Sequence, residues 1–280
     1  MGIAKPTVLS TRTMGQSYRG KDMKGNAQAA ELERFLMKAQ PVDRAAADTT
    51  LLARLVWGHA TLAARRPLSV GFAWVSLACL VAMVWIDRPL ALVLKANVQG
   101  DWKGFWVIVT DIGLGWPWYV LALVMLARCG LGMMATAMDA MWARWAAEAR
   151  VWVVFLCALA GSGLFVTVLK HLVGRLRPVW LFREDLYGAV PLSFQSAANS
   201  FPSGHSQNIW VVMAMLMALY PRHWPTWAAL GVLVASSRLF VTVHYLSDVL
   251  MGSFIGIAAA VLAVRWAAAR GLSLRLGAPR

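Results

Sequence analysis

Charged residues are scarce in this chain. Of its 280 residues only 14% are Asp, Glu, Lys or Arg, whereas 59% are hydrophobic. A soluble domain has about a quarter of its residues charged. The composition therefore excludes an ordinary soluble domain and indicates a polytopic membrane protein. In such a protein, each charge that lies beside an apolar segment becomes a candidate functional group.

Acidic residues and cysteines are fewer still. The chain has 13 Asp and Glu against 27 Lys and Arg, which gives a net charge of +14. The cations lie at the ends of apolar segments, and no nucleic-acid recognition motif accompanies them, so a membrane with anionic lipids explains the excess and no nucleic-acid partner is expected. Cys79, Cys129 and Cys157 lack metal-type spacing, and the carboxylates are too scattered for a metal cage. We therefore expect neither a metal nor another cofactor.

The chain also lacks a cleavable signal-peptide pattern, because its first apolar run begins near Leu68. A bilayer core takes about 20 apolar residues per helix. Six segments approach this pattern: 68–86, 106–127, 151–169, 203–220, 225–243 and 248–267. The sequence thus predicts an all-α fold, a six-transmembrane-helix bundle over residues 67–270. Residues 1–66 are predicted to form a cytoplasmic N-terminal extension, partly disordered or amphipathic, and residues 271–280 a cytoplasmic tail.

The distribution of basic residues predicts the orientation. Lys and Arg accumulate on the side that holds both termini, and such residues favour the cytoplasmic side. The protein is then a multi-pass protein of the cell inner (cytoplasmic) membrane with cytoplasmic termini. In this topology the end of the third segment, the start of the fourth, the end of the fifth and the start of the sixth meet at the outer, periplasmic face.

Three short motifs lie at these four segment ends. They are Lys170-(x6)-Arg177-Pro178, Pro202-Ser203-Gly204-His205 and Ser237-Arg238-(x5)-His244-(x3)-Asp248. Each motif alone is ordinary, since a cation at the membrane edge usually extends to the headgroups and Pro-Ser-Gly-His is a common helix start. Together, in this order and on one side, they indicate a single functional site.

Five of these residues suit the binding of a phosphate group. Lys170, Arg177 and Arg238 can neutralise a phosphate monoester, which carries about −1.5 to −2 charge at neutral pH. Ser203 is placed to cap a helix, and Gly204 lets the backbone amides of that helix start approach an anion. Lys170 and Arg177 share one face if their helix continues through both.

Both motif histidines can act in catalysis. His205, at a helix start, can protonate a leaving alkoxide as a general acid. His244 precedes Asp248 by four residues, and that carboxylate can hold one ring nitrogen and leave the other free to attack phosphorus. The residues alone leave open which histidine is the nucleophile, and the carboxylate is the one argument for His244.

Three further residues lie inside or near the motifs. His171 follows Lys170 and either lines the site or is structural. Arg175 lies inside the first motif and is expected to contact lipid headgroups. Asp111 either orients a motif cation or is packed or exposed without a role.

With these motifs the chain resembles the type 2 phosphatidic acid phosphatase superfamily, which includes bacterial acid phosphatases and vanadium haloperoxidases. Every defining position of the family pattern is present, and the direct match covers roughly residues 160–260. The resemblance implies a six-helix core with an active site at the outer face. It implies that His244 is the nucleophile, Asp248 its partner and His205 the general acid. It assigns five residues to phosphate binding: Lys170, Arg177, Ser203, Gly204 and Arg238.

The sequence therefore predicts a metal-independent membrane phosphatase that acts on a lipid phosphate through a phosphohistidine. The candidate substrates are phosphatidic acid, phosphatidylglycerol phosphate, a polyprenyl diphosphate and a phosphorylated saccharolipid. Two alternatives stay open: a lipid phosphotransferase with the same site, and an anion or lipid transporter. The oligomeric state is open as well.

Overall fold

The structure is a computed structural model, and it describes residues 59–195, 197–272 and 274. The chain divides into two units, Met1–Arg65 and Arg66–Arg280. In the first unit the described residues 59–65 are helical. The rest of the predicted N-terminal extension lies outside the described residues, as does most of the predicted tail, so the predicted domain limits stay predictions.

Helices account for the regular structure that is described in the second unit. A single isolated bridge pairs Arg175 with Ala189. The longer helices, in chain order, are α1 (Pro67–Val81), α2 (Asp87–Asn97), α3 (Gly100–Asp111), α4 (Gly115–Ala135), α5 (Asp139–Val173), α6 (Pro178–Glu184), α7 (Gly204–Leu219), α8 (Trp224–Phe240) and α9 (Leu246–Ala269). A π-helical turn, Ala82–Ile86, joins α1 to α2.

Four helical stretches in the described part of the chain are long and apolar enough to cross a membrane. They are Pro67–Asn97, Gly100–Ala135, Asp139–Val173 and Leu246–Ala269. The other two predicted segments correspond to α7 and α8, which have 16 and 17 residues. At 1.5 Å per residue these two helices are roughly 25 Å long, shorter than a hydrocarbon core of about 30 Å. The protein is thus a multi-pass membrane protein, whereas six spanning helices remain a prediction.

The second predicted segment, 106–127, is not one continuous helix. α3 ends at Asp111 and α4 begins at Gly115. The amides of Gly113 and Leu114 donate to the carbonyls of Thr110 and Asp111, which closes a tight turn between the two helices. This turn faces the first residues of α7, because a Cβ added to Gly113 would lie 3.3 Å from the Cβ of His205.

α7 and α9 pack closely against each other. A Cβ added to Gly252 would lie 2.3 Å from the Ser203 carbonyl oxygen, and one added to Gly256 would lie 2.4 Å from that of Gln207. Small residues four apart let two membrane helices approach to backbone contact. The fully buried Leu159 of α5 and Ile209 of α7 continue the core beside this crossing.

We expect Gly252→Ala to lower both thermal stability and activity. The added methyl group must displace the backbone of Ser203, which caps α7, and overpacking of this kind costs about 1–3 kcal/mol. Gly130→Ala in α4 is the matched control, because no atom lies within 4 Å of its added Cβ. A melting temperature for Gly252→Ala at or above that of the control would contradict this packing.

The segment between α5 and α7 folds back onto the end of α5. Gly174 ends α5 with a φ of 60°, and a Cβ there would meet the Val190 carbonyl oxygen at 1.7 Å. The amide of Ser200 donates to the Arg175 carbonyl, and that of Arg177 donates to the Ala197 carbonyl. Because α5 ends at Val173, before Arg177, the condition for one helix face shared by Lys170 and Arg177 is not met.

Candidate active site

The first motif places two cations around one asparagine. Lys170, in the last turn of α5, donates from Nζ to the Asn199 carbonyl oxygen at 3.0 Å. Arg177, the residue before α6, donates from Nε to Asn199 Oδ1 at 2.8 Å. Burial lowers the pKa of Arg177, and the negative charge of Asp248 offsets this in part. Asn199 therefore holds both cations in place, although α5 ends between them.

The third cation reaches the site from α8. Arg238 is buried and donates from NH1 to Thr110 Oγ1 at 2.8 Å. Its Nε has no hydrogen-bond partner among the described residues. Within the described part of the chain, no carboxylate forms an ion pair with Lys170, Arg177 or Arg238. Three partly desolvated cations without a paired anion form a site that favours a multiply charged anion.

The second motif forms the start of α7, as predicted. Ser203 Oγ accepts hydrogen bonds from the Ser206 amide at 3.4 Å and from Ser206 Oγ at 2.9 Å, so the predicted cap is confirmed. Gly204 lies beside Lys170, whose Cε would be 4.0 Å from an added Cβ. Lys170 therefore lies next to this helix start, whose free amides can bind an anion.

His244 lies in the turn between α8 and α9. Its Nδ1 is 3.4 Å from both Asp248 Oδ2 and Ser200 Oγ, and Ser200 Oγ donates to the same carboxylate oxygen at 2.6 Å. The amide of Tyr245 also donates to Oδ2, at 2.8 Å. Burial lowers the pKa of His244 to about 4, although Asp248 raises it, so the ring is neutral at pH 7. A neutral imidazole oriented through Nδ1 presents Nε2 as a nucleophile.

His205 lies among the same charged groups. Arg238, His244, Lys170 and Arg177 are all close enough to influence its electrostatic environment. Within the described residues no carboxylate pairs with the His205 ring. The structure thus brings the motif cations and both imidazoles to one end of the helix bundle, and it gives the carboxylate partner to His244 alone.

The expectation that Arg175 contacts lipid headgroups is wrong. Arg175 is only 4% exposed and does not extend to lipid headgroups. Its NH1 donates to Asp248 Oδ1 at 2.6 Å, and its NH2 donates to Asp87 Oδ2 at 2.8 Å and to Tyr187 OH at 2.9 Å. Burial lowers the pKa of Arg175, but the two carboxylates raise it by a larger amount, so the net shift of the pKa is upward. Arg175 is therefore a permanent cation inside the protein.

Four residues that contact either the motif side chains or Arg175 were not predicted from the sequence. They are Asp87, Thr110, Asn199 and Ser200. One signal could have found Asp87, since it directly follows the predicted segment 68–86 and a carboxylate beside an apolar segment is a candidate functional group. Asn199 and Ser200 precede the second motif but carry no signal of their own. Asp111, the residue weighed as a partner for a motif cation, is exposed, and its neighbour Thr110 contacts Arg238.

His171 lies at the edge of the site. Its Nδ1 is 3.1 Å from the Ser193 carbonyl oxygen, and its ring stacks on that of Phe194 at a centroid distance of 4.8 Å. These contacts give His171 a structural role for the loop before α7. Among the described residues, no group of three or more His, Cys, Asp or Glu side chains is arranged to hold a metal ion.

Comparisons with known proteins agree with this geometry. The family model of the PAP2 superfamily matches residues 151–272, which contain all three motifs. A lipid A 1-phosphatase of Rhizobium johnstonii is 27% identical over 182 residues, which cover 64% of this chain and 72% of the relative. A lipid A 1-phosphatase of Rhizobium etli is 35% identical over 95 residues, 34% of this chain and 41% of the relative.

A solved structure shares the fold. The transmembrane PAP2-type phosphatidylglycerolphosphate phosphatase from Bacillus subtilis superposes with a TM-score of 0.53 at 20% identity, over 72% of this chain and 96% of that chain. At this identity the likeness concerns the fold alone. The complete motif set and the family match over residues 151–272 identify this part of the chain as a domain of the type 2 phosphatidic acid phosphatase superfamily, and the protein is a lipid phosphate phosphatase.

Proposed function

We propose that this phosphatase hydrolyses a phosphate or diphosphate ester of a membrane lipid at the outer, periplasmic face, through a phosphohistidine and without a metal ion. One observation carries the proposal. Lys170, Arg177 and Arg238 all lie close enough to His205 to act on it electrostatically, and within the described residues none of the three is paired with a carboxylate. Their combined charge can neutralise a lipid phosphate of about −1.5 to −2.

The proposed first step is attack on phosphorus. His244 Nε2 forms a bond to phosphorus while the bond from phosphorus to the lipid oxygen breaks, and His205 gives its proton to that oxygen. The bound dianion favours the protonated form of His205, because an opposite charge within about 4–6 Å stabilises it. The three cations stabilise the equatorial oxygens as the charge redistributes.

The proposed second step regenerates the enzyme. Water gives a proton to His205 and attacks phosphorus from the side that the lipid has left. The bond from phosphorus to Nε2 breaks, inorganic phosphate leaves, and His244 returns to its neutral form. Asp248 stabilises the positive imidazole of the intermediate, since its Oδ2 lies 3.4 Å from Nδ1.

The surroundings of the site suit a lipid substrate. The loop before α7 exposes four apolar side chains, and they are Leu186, Val190, Leu192 and Phe194. Their exposed fractions run from 45% to 83%, and this loop adjoins the end of α5 that carries Lys170. A phosphate can thus bind at headgroup depth while the lipid tails stay in the bilayer. The names of the Rhizobium relatives make a phosphorylated saccharolipid a prominent candidate among the four lipid classes.

The test is a phosphate-release panel with purified protein in detergent micelles that contain excess chelator. The panel holds phosphatidic acid, phosphatidylglycerol phosphate, a polyprenyl diphosphate and a phosphorylated saccharolipid. We expect free phosphate from at least one of them, at the same rate with and without chelator. A requirement for an added divalent ion would contradict the metal-free mechanism. Phosphorylated acceptor lipid formed without free phosphate would identify a phosphotransferase instead.

A further inference from the structure

We propose that Asp87 is a positioning residue for this reaction: by sharing Arg175 with Asp248, it leaves Asp248 a negative charge that acts on His244. The inference rests on the proposed function of His244 as the nucleophile. Asp87 belongs to none of the three motifs and lies at the start of α2, far from them in sequence. It reaches the catalytic pair through a single guanidinium group.

The contacts form one buried chain. Asp87 and Asp248 accept hydrogen bonds from different nitrogens of Arg175, at 2.8 Å and 2.6 Å. Asp87 is 1% exposed and Asp248 is fully buried. Asp248 turns Oδ1 to Arg175 and Oδ2 to His244. The order of contacts is therefore Asp87, Arg175, Asp248, His244.

The charges in this chain do not cancel. Two carboxylates share one guanidinium, which leaves one net negative charge next to His244. In the absence of Asp87, Arg175 would neutralise Asp248 alone, and the buried pair would carry no net charge. His244 gains a positive charge when it bonds to phosphorus, so the intermediate needs this negative charge nearby. Electrostatic effects at this depth are strong because little water screens them.

The backbone before Asp87 supports a specific placement of its side chain. The turn Ala82–Ile86 is π-helical and ends immediately before Asp87. Such turns are rare within helices and frequently lie at functional sites. The Met83 carbonyl in this turn accepts a hydrogen bond from Tyr187 OH at 2.6 Å, and Tyr187 OH accepts one from Arg175. The turn thus fixes both Asp87 and the guanidinium that it shares.

Ser247 ties Asp87 to the helix that carries Asp248. The Ser247 amide donates to Asp87 Oδ1 at 3.1 Å, and its hydroxyl donates to Oδ2. The ring of Tyr245 stacks under the guanidinium, with its centroid 4.4 Å from Arg175 Cζ. These contacts fix the side chain of Asp87, so its charge is held at a constant distance from Asp248.

A purely structural ion pair would have the same contacts, so the test separates the two roles. We would measure kcat, KM and the Kd for inorganic phosphate of purified Asp87→Asn, with the substrate that the wild-type protein hydrolyses best in the lipid panel. We expect kcat to fall about 10- to 100-fold, as is usual when a residue behind a catalytic group is removed. KM and the phosphate Kd should stay within about twofold, because Lys170, Arg177 and Arg238 are untouched.

Two further variants test whether the charge of Asp87 acts through Asp248. Asp87→Glu keeps the charge and should retain more of kcat than Asp87→Asn. In an Asp248→Asn background, Asp87→Asn should cause no further loss, because the group through which it acts is gone. The matched control is Asp185→Asn, which removes the carboxylate of the exposed Arg88–Asp185 ion pair and should leave kcat unchanged.

Several outcomes would overturn the inference. These are an unchanged kcat in Asp87→Asn, an equal loss in Asp87→Glu, and a loss that adds to that of Asp248→Asn. An Asp87→Asn protein that no longer binds phosphate would make Asp87 a determinant of the fold only. Failure of the proposed function would look different, because the wild-type protein itself would then release no phosphate from any lipid of the panel.

Discussion

His244→Ala is expected to lower the turnover of the lipid phosphate by at least about 10⁴-fold, because it removes the atom that bonds to phosphorus. Phosphate binding should survive, since Lys170 lies on α5, Arg177 before α6 and Arg238 on α8. The measurement combines phosphate release with the Kd for inorganic phosphate and the melting temperature. A fall in kcat with an unchanged Kd is the expected result.

His223→Ala is the matched control, because His223 is exposed in the short turn before α8 and lies away from the motifs. It should retain wild-type activity. If His244→Ala keeps more than a tenth of the wild-type rate, His244 is not the nucleophile. If the wild-type protein moves lipid or anion across a vesicle membrane and His244→Ala does so equally well, the transporter alternative is correct.

His205→Ala is expected to lose activity to an extent that depends on the leaving group. A lipid alkoxide needs a proton as it departs, so the loss should be about 10²- to 10⁴-fold, the usual contribution of general acid catalysis. 4-Nitrophenyl phosphate has a leaving group that is stable as an anion. For this substrate, His205→Ala should therefore lower the rate of the cleavage step much less. The ratio of kcat/KM for the two substrates, in wild type and variant, measures this role directly.

The kcat/KM ratio also separates general acid catalysis from charge stabilisation. If His205 served only to bind phosphate oxygens, His205→Ala would lower kcat/KM for both substrates by the same factor. It would also raise the Kd for inorganic phosphate. Arg177→Gln is a useful comparison, because Arg177 is placed in phosphate binding and its loss should affect both substrates equally. Equal losses for His205→Ala and Arg177→Gln would contradict the proposed proton transfer.

Much of the helical fold could be predicted from local sequence. Each of the six apolar segments overlaps at least one helix, and the cap at Ser203 and the His244–Asp248 pair followed from residue type and spacing alone. The break between α3 and α4 was harder to place, although Gly113 and Gly115 marked it. Whether the helix of Lys170 continues to Arg177 stayed open in the sequence, and in the structure α5 ends at Gly174, a glycine with positive φ.

The partners of the buried charges could not be predicted in the same way. Arg175 pairs with Asp87 across 88 residues, and Arg238 bonds to Thr110 across 128. Such pairs depend on which helices are neighbours and on how each one rotates, and neither property can be read from one segment. Arg175 is an example of a buried charge whose partners could not be predicted from its own segment. At a membrane edge an arginine usually extends to lipid headgroups, and only the packing of α2, α5 and α9 makes it an internal cation.

The most direct test of the whole account is to trap the phosphoenzyme. Protein would be mixed with its substrate labelled with ³²P in the phosphate, stopped in alkali to preserve a bond between phosphorus and nitrogen, and digested for mass spectrometry. The account predicts label on the peptide that contains His244, more label in His205→Ala if that variant also slows the attack of water, and none in His244→Ala. Label on His205, or rapid turnover by His244→Ala, would contradict it.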